Sequence, residues 1–165
     1  MEDEQRRMII RPAAEADARA IAEILVEDWQ TAYRGIIDDT WLDAMDVEER
    51  TQREARRYRL YTVAEDANGV QGFAWNERTD GEADCEIVAL YVRYAKRNCG
   101  IGRALILHSM EAYRAAGRKR MIVWCLKDNG EARRFYERMG GKAGRPGTHP
   151  WGSREYDMVS YVWQL

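Results

Sequence analysis

The stretch Val92-Arg93-Tyr94-Ala95-Lys96-Arg97-Asn98-Cys99-Gly100-Ile101-Gly102-Arg103 decides how this chain is read. Before it, Glu86 to Val92 (EIVALYV) is rich in Ile, Val and Tyr and reads as a strand. After it, Ile101, Leu105, Ile106, Met110 and Tyr113 predict a well-buried helix from Ile101 to about Ala116, with Gly117 just past its end. A strand therefore feeds a two-glycine loop that opens directly into a helix. The first turn of a helix leaves its N–H groups without intrahelical partners, and the macrodipole adds partial positive charge. Gly100 and Gly102 lack the Cβ atoms that would hold a bulky anion away, while Lys96, Arg97 and Arg103 add full charges. These features predict a phosphate or pyrophosphate pocket. The glycine pair alone fits a ligand-free tight turn equally well. Leu105 stands where a dinucleotide fingerprint needs its third glycine, and the Gly-Lys-Ser/Thr of a P-loop is absent.

Outward from this stretch, helical and strand patterns alternate. Met8 to Pro12 reads as a short first strand, and Glu15 to Trp29 as a helix with Ala18, Ile21, Ala22, Leu25 and Trp29 at helical spacing. A second, highly charged helix is expected from about Asp39 to Arg57. Leu60 to Ala64 and Val70 to Asn76 form an expected hairpin around Asp66-Ala67-Asn68-Gly69. Arg120 to Leu126 is a further strand. Asp128 with Glu131 resembles a loose capping box opening a helix to about Met139, closed by Gly140-Gly141. Glu155 to Leu165 is the final strand. The expected order is strand, two helices, three strands, helix, strand, helix, strand: one α/β domain over residues 1–165.

Bulk properties narrow the function classes. The chain has 165 residues, 45% hydrophobic and 33% charged, enough for one real core. The net charge of −2 supplies no global field for nucleic acid, so no nucleic-acid partner is expected. No apolar run approaches the roughly 20 residues of a membrane span. The charged start, MEDEQRR, does not resemble a secretory signal, and a cytoplasmic location is expected. Three cysteines (Cys85, Cys99, Cys125) and two histidines (His108, His149) have neither disulfide-framework nor zinc spacing, so no metal is expected.

Two signatures in register then identify a resemblance. Leu90-Tyr91-Val92, Arg97-x-x-Gly100-x-Gly102 and Asn129-x-x-Ala132-x-x-x-Tyr136 are similar to the GNAT superfamily of N-acetyltransferases, in its small single-domain bacterial form. The likeness is strong from about Val70 to Gly141. It implies an α/β fold: a mixed, mostly antiparallel sheet of six to seven strands, with a splayed fourth and fifth strand and about four helices. It also implies acetyl-CoA as co-substrate and direct transfer to a primary amine in a ternary complex. By position, the backbones of Leu90, Tyr91 and Val92 would meet the pantetheine and acetyl end. One N–H there would polarise the thioester carbonyl. Arg97, Asn98, Cys99, Gly100, Ile101, Gly102 and Arg103 would surround the pyrophosphate, and Asn129 would bond the pantetheine arm. Tyr136 matches the general acid that protonates the departing thiolate, its alternative being a core aromatic beside Phe135. Glu86, fourteen residues before the first loop glycine, matches a base glutamate, acting directly or through water. Its alternative is a strand-end glutamate in solvent or a salt bridge. Trp124 stands where some relatives carry a base on the fifth strand.

Trp29 and Tyr33, four apart on one helix face, are candidates for the acceptor site, along with Trp41, Asp38 and Asp39 for a cationic amine; core packing and solvent exposure are the alternatives. His149 stands in the last connection, as catalyst or as plain loop residue. A small-molecule or peptide amine is the expected partner. A protein or aminoacyl-tRNA acceptor and a non-catalytic acyl-CoA sensor are the rival readings, separable by thiol release with an amine panel. The resemblance also allows a homodimer.

Overall fold

The computed structural model describes residues 7–79 and 81–165. The charged start therefore lies outside the described residues except for Arg7. In chain order the elements are β1 (Ile9–Pro12), α1 (Ala18–Ala32), α2 (Asp39–Asp43), α3 (Val47–Arg57), β2 (Tyr61–Asp66), β3 (Gly69–Arg78), β4 (Cys85–Val92), α4 (Ile101–Ala115), β5 (Arg120–Leu126), α5 (Gly130–Arg138), β6 (Lys142–Ala143), β7 (Gly147–Trp151) and β8 (Arg154–Gln164). The strands lie in the order β1-β2-β3-β4-β5-β8-β6, with β7 also on β8. Every pairing is antiparallel except β4 with β5.

Three sequence expectations change. The described sheet has eight strands rather than six or seven, because the two-residue β6 and the Pro-containing β7 give little periodic signal. The expected helix over Asp39 to Arg57 is two helices. Asp46 ends the continuity by accepting from Glu48 N (2.8 Å) as the cap of α3, just as Asp38 caps α2 through Thr40 N (3.1 Å). The cap of α5 is Asn129, whose Oδ1 accepts from Ala132 N (3.1 Å), rather than Asp128.

Helices cover both faces. On one, Leu105, Ile106 and Met110 of α4 and Tyr136 of α5 pack on Ile87, Met121, Tyr161 and Trp163. On the other, Ile21, Leu25 and Trp29 of α1 and Leu42 of α2 pack on Val63 and Phe73. Beneath α3, Glu54 is fully buried. Its carboxylate accepts from Arg57 (2.9 Å) and from the Tyr61 hydroxyl. Removing a buried carboxylate strands its partners, so Glu54→Ala is expected to lower unfolding free energy by about 3 kcal/mol, read in urea denaturation.

The sheet opens in its middle. The β4–β5 ladder runs only from Cys85↔Met121 to Ile87↔Val123. At that point β4 carries a bulge: Trp75 faces Ala89 and Asn76 faces Ile87, so Val88 is the extra residue. Beyond it β4 stays on β3 while β5 continues along β8, and the two parallel strands part.

Candidate active site

The parted strands bound a cleft of about 1700 Å³ that reaches both faces of the sheet. Its floor is main chain. Arg93 N donates to Gln71 O (2.8 Å), which makes Val92 and Gly72 a non-hydrogen-bonded pair of the β3–β4 ladder. By the alternation of an antiparallel ladder, Tyr91 then bonds Phe73 through its own N–H and C=O. The peptide groups of Val92 and Leu90 point away from β3, into the opening. Of the three expected contacts on β4, two therefore offer free main-chain donors and acceptors.

At one end of the cleft stands the α4 N-terminus. Gly100 caps it in the left-handed region (φ +83°), and Asn98 is also left-handed (φ +60°). Arg97 N donates to Tyr94 O (3.2 Å) and Ala104 N to Gly100 O (3.0 Å). Between them, the amides of Asn98, Cys99, Gly100, Ile101, Gly102 and Arg103 have no main-chain partner among the described residues. This is a cradle suited to an anion. Gly102 lines the cleft. A Cβ at Gly102 would meet the Phe135 ring at 3.4 Å, an ordinary contact. Arg97 lines the cleft, its guanidinium paired with Asp28 and with Glu131 (3.3 Å), which braces the loop. Arg103 is exposed and lines the cleft. Cys99 is exposed, with Sγ 3.5 Å from Arg97 O.

Tyr136 lies on the wall beside this cradle, 6% exposed, ringed by Phe135, Tyr161 and Trp163. Its hydroxyl has no protein partner among the described residues and lies in the cleft lining. Burial, with Cys125 and Tyr91 nearby, pushes its pKa far above the phenol range, so the proton stays in place at physiological pH. Asn129 lines the same wall; capping α5 occupies its oxygen and leaves its NH₂ group for the cleft.

Glu86 enters from β4. Tyr113 Oη donates to its main-chain oxygen (2.7 Å), fixing the strand there, while the half-buried carboxylate has no ion pair among the described residues. Burial raises its pKa, and the Glu77 charge directly across the ladder raises it further. Trp75 holds Glu77 in place by donating Nε1–H to Oε1 (3.2 Å).

On the face covered by α1, Trp29 and Tyr33 are buried and stack edge to face at 4.9 Å. Their polar ends meet at one point that was not legible in the sequence. Trp29 Nε1 donates to Tyr91 Oη (3.0 Å), and Tyr33 Oη lies 3.3 Å from the same oxygen. Asp38 and Asp39, expected near a cationic amine, are occupied elsewhere: Asp38 caps α2 and Asp39 pairs with Arg34 (3.3 Å), both outside this cleft. Trp41 and His149 line it, with His149 stacked on Trp151 at 4.2 Å. No group of three metal-ligating side chains is found among the described residues.

A sheet split between two parallel strands, with an anion cradle at the mouth and a protonated phenol on the wall, is a scaffold for handling a thioester of a phosphorylated carrier. Residues 18–141 match the family model described as acetyltransferase (GNAT) family. The chain belongs to that family. Its relatives include an uncharacterized N-acetyltransferase, YuaI, of Bacillus subtilis, 31% identical over 125 residues, or 73% of this chain and 72% of YuaI. Among solved structures, the PaiA N-acetyltransferase of Thermoplasma acidophilum in complex with coenzyme A has a TM-score of 0.73 at 18% identity, covering 93% of this chain and 98% of that one. YncA of Salmonella typhimurium with acetyl-CoA has a TM-score of 0.70 at 23% identity, covering 96% and 94%. These two likenesses are of fold. The expected mixed sheet with a splayed fourth and fifth strand is the fold observed.

Proposed function

We propose that the chain, acting as one domain, transfers the acetyl group of acetyl-CoA to a primary amine of a small molecule by direct attack within a ternary complex. One observation carries this reading: Asn98 and residues 100–103, with their unpartnered amides, line a single cleft together with Leu90, Val92, Tyr136 and Glu86. The cradle and Arg103 fit a diphosphate, and the opened edge of β4 fits an extended amide-bearing arm.

Most amines are protonated at neutral pH, with pKa near ~10. Glu86 takes that proton, directly or through water. The amine lone pair then forms the C–N bond at the thioester carbonyl. A main-chain N–H on the cleft edge of β4 stabilises the charge growing on the carbonyl oxygen. As the C–S bond breaks, Tyr136 gives its proton to the sulfur. The excess proton of the amine finally returns to solvent, and Tyr136 is reprotonated.

Titration calorimetry with acetyl-CoA, followed by thiol release on an amine panel, tests the reading. Micromolar binding with turnover on at least one amine is expected. Absence of heat with acetyl-CoA would refute it, and binding without turnover on any amine would leave only a sensor.

A further inference from the structure

The end of the cleft under α1 and α3 has charges whose pairing can be followed. Arg53 and Glu49 pair with each other (3.4 Å), and Arg57 pairs with Glu54 (2.9 Å) while lying over the Trp75 ring at 4.0 Å. Asp46 is spent on capping α3. Two groups at this end remain without a hydrogen-bonded partner among the described residues: the Glu86 carboxylate and the Arg50 guanidinium. Arg50 lines the cleft with its side chain only 20% exposed. Its Nε is fully buried and makes no hydrogen bond, but forms an ion pair with Glu54 Oε1 at 3.4 Å. That carboxylate is already committed to Arg57 and Tyr61. A guanidinium offers five N–H groups in a planar fork suited to an oxyacid anion. The terminal N–H groups of Arg50 are not fully buried, have no hydrogen-bonded partner among the described residues and are available to a ligand in the cleft. Arg50 also stands close to the chemistry. Burial raises the Tyr91 phenol, and the Arg50 charge is among the groups that pull it back down.

We infer that the acceptor is a small zwitterion of the amino-acid type, whose carboxylate is gripped by Arg50 while its amine is presented to Glu86. The inference rests on the acetyltransferase reading above and adds the substrate class. The Glu86 carboxylate and the terminal nitrogens of Arg50, neither with a hydrogen-bonded partner among the described residues, have opposite sign, as do the two ends of such a ligand. A polyamine would satisfy Glu86 but be repelled by Arg50. A neutral amine would leave the guanidinium unbonded.

The test is steady-state thiol release on matched series: the common α-amino acids, their carboxamides and the corresponding decarboxylated amines. For the accepted side chain, the acid is expected to exceed its amide and decarboxylated amine in kcat/KM by at least about tenfold, the worth of a charge-assisted hydrogen bond. Arg50→Met is expected to raise KM for the acid about tenfold to a hundredfold with little change in kcat, and to leave the neutral acceptors nearly unaffected. Arg50→Lys is expected to recover part of the loss. Glu54 keeps Arg57 and Tyr61 in these variants, and unchanged acetyl-CoA binding by calorimetry reports that the fold is intact. Equal turnover of acid and amide by the wild type would overturn the inference. So would an Arg50→Met loss shared equally by all three series. In both cases acetyl transfer itself would stand. No turnover on any amine despite acetyl-CoA binding would overturn the inference together with catalysis.

Discussion

Tyr136→Phe is expected to lower kcat about 10²- to 10⁴-fold while acetyl-CoA affinity stays within about twofold. The substitution removes one oxygen and keeps the ring that Phe135, Tyr161 and Trp163 enclose. The lost hydroxyl has no protein partner among the described residues, so no buried group is orphaned by its removal. A structural role for Tyr136 therefore predicts almost no effect, and a role as acid predicts a large one. Stopped-flow thiol release and calorimetry on one preparation separate the two. Because the phenol remains protonated far above neutrality, no basic limb from Tyr136 should appear in the accessible part of the pH profile.

Glu86→Gln is expected to reduce kcat/KM by about 10²-fold or more at neutral pH, with the deficit shrinking as pH rises and more free amine is present. The sign of the pH effect follows from the environment. Burial and Glu77 raise the Glu86 pKa, so the working, ionised base is lost at a higher pH than an ordinary glutamate would be. The acid limb of kcat/KM should therefore lie above the usual carboxylate range. Glu77→Gln removes the facing charge and should move that limb to lower pH. Stability has the opposite preference. A carboxylate whose pKa is higher folded than unfolded costs nothing below its unfolded pKa and destabilises progressively as pH rises through the folded one. Glu86→Gln should thus raise the melting temperature slightly at neutral pH and not at acid pH. A profile with an ordinary acid limb and no response to Glu77→Gln would remove Glu86 from the role of base.

Much of this site could be read from residue types because its parts are local. The strand–loop–helix around Gly100 announces itself through glycine, flanking charge and hydrophobic period, all within a dozen positions. Tyr136 and Asn129 share one short helix and its cap. What escaped was set by distance or by the absence of a marker. Tyr91 lies 62 positions from Trp29, and no periodicity within α1 or β4 shows that their polar atoms meet. Arg50 looks like one more charge on a solvated helix until its side chain is seen to be mostly buried and to line the cleft. The break before α3 did carry a signal, Asp46 followed three residues later by Glu49, but the surrounding charge concealed it. The bulge at Val88 had none, since neither glycine nor proline marks it.

That unmarked residue has a consequence for how the molecule tolerates change. Glu86 and Tyr91 are an odd number of positions apart, and in an unbroken strand they would project to opposite faces. The one additional peptide at Val88 acts as a phase shifter, bringing both to the acceptor face while Ile87 and Leu90 point to the other. Substitutions along this edge alter one group at a time. A single-codon deletion at 88 would invert the phase of the part of β4 that precedes it and turn Glu86 toward α4.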